Sequence, residues 1–143
     1  MKKLIIQIVL LSCIATVLFA QVKVPSAIVE SFKQKFPDAT SIKWEKEDVH
    51  EYEATFQSKG VKQSVMYSDK GELLETETAI KFNQLPDKVQ KAYNAKYVQL
   101  KPKSLAKIET ERGVITFEIK MNQAGKTIEV FYSPEGIEIP VQR

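Results

Sequence analysis

Two stretches of the chain change rhythm in the same order. In VPSAIVESFKQKFPD (24–38) the large apolar residues Ile28, Phe32 and Phe36 fall four apart, the spacing of one helix face. LPDKVQKAYNAKYVQ (85–99) repeats this at an offset of 61, with Val89, Tyr93 and Tyr97 on the stripe. Each stretch opens on a proline, Pro25 or Pro86, at the start of the first helical turn, where a missing N–H costs nothing. Ser26 and Asp87 add polar character at the two N-termini, and Pro37 ends the first helix.

Beyond each helix the period falls to two. Ile115, Phe117, Ile119 and Met121 alternate with Thr116, Glu118 and Lys120, which predicts a strand with one buried face. The earlier copy has His50, Tyr52, Ala54 and Phe56 against Glu51, Glu53 and Thr55, so His50 is expected as a partly buried strand residue. Gly60 in SKGV and Gly125 in QAGK suit hairpin turns. Val65 and Tyr67 on the next strand match Val130 and Tyr132 at an offset of 65. The change from 61 to 65 places four inserted residues near LKPKS (100–104). SIKWEK (41–46) and SLAKIE (104–109) each read as a first strand, with Trp44 expected in the core under a helix.

A second turn closes each copy. Ser68-Asp69-Lys70-Gly71 and Ser133-Pro134-Glu135-Gly136 fit a type I turn followed by a glycine of positive φ. The unit is one helix followed by about four antiparallel strands, and it occurs twice, about 24–78 and about 85–140. The predicted fold class is α+β, with the helices packed on one face of the sheet. AIKFNQ (79–84) is too apolar for a free linker, so the copies are expected to form one pseudo-symmetric domain over 21–143.

The first twenty residues change the compartment. Lys2 and Lys3 precede an apolar run from Leu4 to Ala20, the pattern of a signal peptide cleaved after Ala20. The remaining chain is expected in the periplasm or outside the cell, with no stable membrane span. Cys13 in LLSC raises lipid anchoring as a weaker alternative, because the chain stays apolar after it. Without that leader no cysteine remains, which removes thiol catalysis, cysteine-bound zinc and disulfides. Charge is then nearly balanced, 19 basic groups against 18 acidic, and gives no electrostatic case for nucleic acid. The halves differ, however: 24–84 carries 8 basic and 11 acidic groups, and 85–143 carries 10 and 7.

Candidate chemistry is sparse. His50 is the single histidine, and neither G-x-S-x-G nor H-E-x-x-H occurs. The run WEKEDVHEYE offers paired carboxylates, but it sits at a strand–turn–strand and reads as a solvated hairpin. No D-x-D-x-D-G calcium loop and no phosphate loop is present, so no metal or cofactor is expected. Met66 and Phe131 are equivalent, 65 apart, and alternation puts both on the uncovered sheet face.

YEATFQSKGVKQSVMYSDKGELLE and FEIKMNQAGKTIEVFYSPEGIEI resemble the PepSY pattern: an aromatic-Glu strand, a Gly turn, an apolar strand, then a small or acidic residue, Gly and a closing strand. With the proline-led helices, the chain from Val24 to about Ile139 resembles the β-lactamase-inhibitor-like, PepSY-like group of exported proteins. The resemblance implies a helix-on-sheet fold that binds proteins through the face opposite the helices, and it carries no catalytic residues. The chain is therefore read as a non-catalytic binding module for a protein or peptide. Glu53, Thr55, Ser64 and Met66 in one half, with Glu118, Lys120, Glu129 and Phe131 in the other, are its candidate contact residues. A small-ligand carrier or hydrolase with a pocket between helix and sheet, and a self-associating envelope protein, are the alternatives.

Overall fold

The computed structural model describes residues 22–140. The leader sequence, Cys13 and the cleavage site lie outside them. Helix α1 (Ser26–Lys35) leads into strands β1 (Thr40–Lys46), β2 (Glu51–Ser58), β3 (Val61–Ser68) and β4 (Leu73–Ala79). A short 3₁₀ turn (Phe82–Gln84) precedes helix α2 (Asp87–Lys96). Strands β5 (Pro102–Thr110), β6 (Ile115–Gln123), β7 (Lys126–Tyr132) and β8 (Glu138–Ile139) follow. All eight strands form one antiparallel sheet in sequence order.

Each helix buries the stripe its spacing announces. Ile28 and Phe32 of α1 are fully buried against Ala54, Phe56, Val65 and Tyr67. The Phe32 ring lies 5.0 Å from Phe56 and 5.3 Å from Trp44, both edge-on, a favoured aromatic geometry. Val89 and Tyr93 of α2 cover Phe117, Ile119, Met121, Val130 and Tyr132. Tyr93 donates its hydroxyl to the Leu100 carbonyl at 2.6 Å, so its polar end is satisfied inside this second core. Both helices begin after a proline N-cap, and lysines in both last turns favour the helix C-terminus electrostatically. Among the described residues the two cores are separate clusters. Ile80 and Phe82 of the connecting segment pack against the second.

The hairpin turns follow from backbone sterics. Lys59-Gly60 and Ala124-Gly125 form two-residue loops with φ positive at both residues, the twist-matched hairpin geometry. In the other turn Gly71 and Gly136 each donate to the carbonyl of the leading serine at 2.9 Å. Two local expectations change. The four extra residues after α2 are not inserted at 100–104; they lengthen the β5–β6 hairpin. Lys46 pairs with Tyr52 around residues 47–51, whereas the equivalent pair Lys107 and Phe117 encloses 108–116, and the connection after α2 keeps the spacing of that after α1. His50 is not a partly buried strand residue; it is exposed in the β1–β2 turn. Its Nδ1 lies 2.6 Å from the Asp69 carboxylate, and its carbonyl accepts the Asp69 N–H, so it ties two turns together.

The two halves are not energetically equal. A Cβ on Gly136 would lie 2.5 Å from the Lys88 carbonyl oxygen of α2, whereas one on Gly71 meets only Ile28, at 3.9 Å. Both glycines have φ near +80° (+80 and +85), so each alanine substitution pays about 1–2 kcal/mol of left-handed strain. Gly136→Ala is expected to cost a further 1–3 kcal/mol or so because the overlap is with backbone. Urea unfolding of the two variants should show that gap. Equal losses would mean that the turn does not press on α2.

A second asymmetry involves equivalent tyrosines. Tyr132 directs its hydroxyl at Glu138 (3.5 Å), a carboxylate that also takes Lys96 at 2.7 Å and Tyr97 at 3.3 Å. Tyr67 is just as buried, and its hydroxyl has no hydrogen-bond partner among the described residues. Its pKa is raised chiefly by burial, with the nearby Ser31 side chain opposing the shift from a position that makes no hydrogen bond of good geometry. Tyr67→Phe is expected to leave stability unchanged or raise it by about 1 kcal/mol, since it removes an unsatisfied buried group. Tyr132→Phe should lower it. Thermal melts in which Tyr67→Phe lost more than Tyr132→Phe would contradict this.

Candidate functional site

Among the described residues no element covers the face of the sheet opposite the helices, and its middle is hollow. The ladder sets its rows. Glu53 of β2 pairs with Met66 of β3, which pairs with Glu75 of β4. One step along, Thr55, Ser64, Glu77, Ile108 and Thr116 cross five strands. In a further row Ala79, Ala106, Glu118, Phe131 and Ile139 follow one another. Ala79 and Ala106 are small, and the space above them opens a cavity of about 460 Å³. Glu53, Ser64, Glu77 and Lys120 line both this cavity and a smaller one of about 220 Å³. A third hollow of about 390 Å³ holds Ile108, Phe131, Ile139 and Pro140.

All eight candidate residues lie on this face, but they do not share one cavity. Glu53, Thr55, Ser64, Glu118 and Lys120 line the largest of these three hollows. Met66 lies in the smaller one, half-buried between two glutamates rather than freely exposed. Phe131 borders the third hollow, and Glu75 lines both that one and the one with Met66. Glu129 lines none of the three but pairs with Lys120 at 3.2 Å. Glu75 and Glu77 escaped the sequence reading. Their strand, LLETETA, carries threonines rather than large apolar residues on the helix side, so hydropathy gave no signal for its open face.

Electrostatics single out Glu118. Its side chain is only 7% exposed, and Lys120 lies 3.2 Å away. Burial pushes its pKa up to about 7; Lys120 opposes the shift, while Glu77 and Glu129 add to it. Glu77 and Glu75 are also raised, again first by burial; Lys120 opposes the shift at Glu77 and Glu53 adds to it, while Glu77, Glu51 and Glu53 add to that of Glu75. Burial works to lower the Lys120 pKa, but Glu118 and Glu129 outweigh it and hold the ammonium charged. At the rim, the carboxylates of Glu45, Glu47 and Glu53 come within 4.8 Å of one another. The cluster has no nucleophile–base pair; the single histidine is in a turn, paired with Asp69.

This architecture defines a class: an open-faced α+β protein with two helices on one side of an eight-stranded sheet and a concave polar surface on the other. A family model described as "Putative beta-lactamase-inhibitor-like, PepSY-like" matches residues 13–75 and 50–139, and the chain belongs to that family. Solved structures share the fold. A BLIP-like protein from Bacteroides fragilis is 27% identical, with 85% of this chain and 86% of that one covered at a TM-score of 0.67. A DUF2874 family protein from Bacteroides ovatus (23% identity, 83% and 86% covered) reaches 0.72. A protein from Bacteroides eggerthii described as periplasmic (18% identity, 85% and 89% covered) reaches 0.76. No curated protein matches the sequence. No helix among the described residues is long and apolar enough to cross a membrane.

The raised Glu118 pKa has a defined thermodynamic sign. The folded state keeps the proton to about pH 7 while the unfolded chain releases it near 4.5, so the folded state binds more protons between these values. Stability linked to this group therefore increases as pH falls from 8 to 5. Glu118→Gln should flatten that slope and stabilise the protein at pH 8 by about 1–3 kcal/mol, reduced by the loss of the Lys120 contact. Urea midpoints at pH 5 and pH 8 give the comparison. A steeper slope in the variant would contradict the assignment.

Proposed function

We propose that the protein is an exported, non-catalytic binding module, periplasmic or secreted, which engages a protein or peptide through the open face of its sheet. In this reading each helix with its four strands is one copy of a repeated PepSY-like unit, and the two copies contribute equivalent halves of one surface. One observation carries the proposal: the helices cover one face of the sheet, while the other holds half-buried polar and apolar groups above which no described residue is packed. The BLIP-like relative supports an inhibitor-like mode, and the periplasmic description of another relative supports export. The cores under both helices are filled by side chains, but a hollow of about 900 Å³ opens beside α1 between Ser31, Lys35, Leu73, Leu74 and Arg112, and it is where a carrier reading would place its ligand. Self-association has a weaker basis in the opposite net charges of the halves.

Met66→Asp/Phe131→Asp is expected to abolish capture of partners from envelope extract while leaving the circular dichroism spectrum unchanged. Recovery of the same partners by wild type and variant would refute the open-face reading. Light scattering that gave a dimer for the wild type alone would favour self-association.

A further inference from the structure

The concave face carries more negative charge than its own lysines neutralise. Six glutamates line the two joined cavities (Glu45, Glu47, Glu53, Glu75, Glu77 and Glu118), against Lys62, Lys103 and Lys120; Glu45 is paired with Lys43 at 2.8 Å and Glu118 keeps its proton to about pH 7, so the excess rests on Glu47, Glu53, Glu75 and Glu77. Lys120 is already engaged, 3.2 Å from both Glu118 and Glu129. Glu53, Glu75 and Glu77 form no ion pair among the described residues. All three are half-buried; Glu77 keeps Lys120 and Lys62 at longer range, while no lysine offsets the loss of hydration at Glu75. Burial, with Glu77, Glu51 and Glu53, raises the pKa of Glu75; burial and Glu53 raise that of Glu77 against the pull of Lys120 and Lys62.

A cationic side chain entering here removes both penalties at once. Glu53 and Glu75 flank Met66 from the two adjacent strands, so their backbones stand about 10 Å apart, room for one side chain to pass between. Met66 offers its thioether at the floor to an aliphatic stem. Glu77 lies one step further along, beside Ser64. Past Glu75 the face turns apolar, with Ile108, Phe131 and Ile139. An anionic partner meets the charge excess head on. A hard metal ion needs oxygens at about 2.3–2.6 Å, which carboxylates on separated strands do not preset.

Accepting that the open face is the binding face, we infer that it recognises a basic segment of a partner polypeptide. A lysine or arginine head group lies among Glu53, Glu75 and Glu77, its stem lies on Met66, and neighbouring apolar residues of the partner lie on Phe131. Charge complementarity of this kind sets which partner is accepted and how fast it docks.

The test is a titration of ¹⁵N-labelled protein with tetralysine, with side-chain-acetylated tetralysine, tetraglutamate and calcium chloride as comparisons. Tetralysine is expected to shift the amides of Glu53, Met66, Glu75 and Glu77 saturably. Glu75→Gln/Glu77→Gln should weaken its binding about tenfold. Glu30→Gln/Glu72→Gln removes the same charge from exposed positions elsewhere and should leave the binding unchanged. Equal weakening in both double variants, or shifts confined to other surfaces, overturns the proposal. Acetylated tetralysine or tetraglutamate binding the same residues equally well overturns the charge chemistry while leaving the open-face reading intact. Calcium moving these amides at lower concentration than tetralysine replaces the basic side chain with a metal ion and also overturns it. Failure of the open-face reading itself is registered separately, by partner capture with Met66→Asp/Phe131→Asp.

Discussion

The ladder between β4 and β5 is the interaction on which the rest of the molecule depends. It pairs Glu75 with Thr110 through to Ala79 with Ala106. At its ends the Ile80 N–H donates to the Leu105 carbonyl and the Glu111 N–H to that of Leu74, each at 3.0 Å. The two hydrophobic cores lie on either side of it as separate clusters, so backbone hydrogen bonds carry the junction more than apolar burial does. Without this ladder the polar face would be two unrelated patches. With it, Glu77 of β4 and Glu118 of β6 line one hollow.

That hollow exists because side-chain size is distributed unequally between the faces. On the helix side aromatic rings interlock at about 5 Å, and the sheet cannot flex without breaking those contacts. On the other side Ala79 and Ala106 occupy the seam, and longer glutamates and lysines rise around them. Packing on one face thus holds charged groups at fixed separations on the other. Partial burial of these groups lowers stability, and the cores below offset that cost.

Much of this was legible from periodicity. The four-residue spacing identified both helical stripes, and glycines marked the turns. The period of two then sorted Glu53, Thr55, Ser64, Met66, Glu118, Lys120, Glu129 and Phe131 onto the face opposite the helices. The reading weakened where the hydrophobic signal did. On β4 the helix-side positions include Thr76 and Thr78, which belong to neither core, so no apolar alternation pointed to Glu75 and Glu77. The pairing of β4 with β5 joins mostly polar residues and left little trace in hydropathy. His50 was misplaced because alternation was extended one residue before β2 begins, into a turn whose geometry is set by Asp48 and Asp69. The shape of the concave face depends on twist and on two alanines from different strands, a relation between distant positions that local patterns do not encode.

Strand order also governs how the molecule comes into being. Each strand pairs with its neighbour in sequence, and the longest excursion between paired strands is the segment that contains α2. Loop closure is cheap at every step, and contact order stays low for a protein made mainly of strands. In such an order every strand finds a partner close by in the chain, so each hairpin can add to an existing edge without a distant segment closing first.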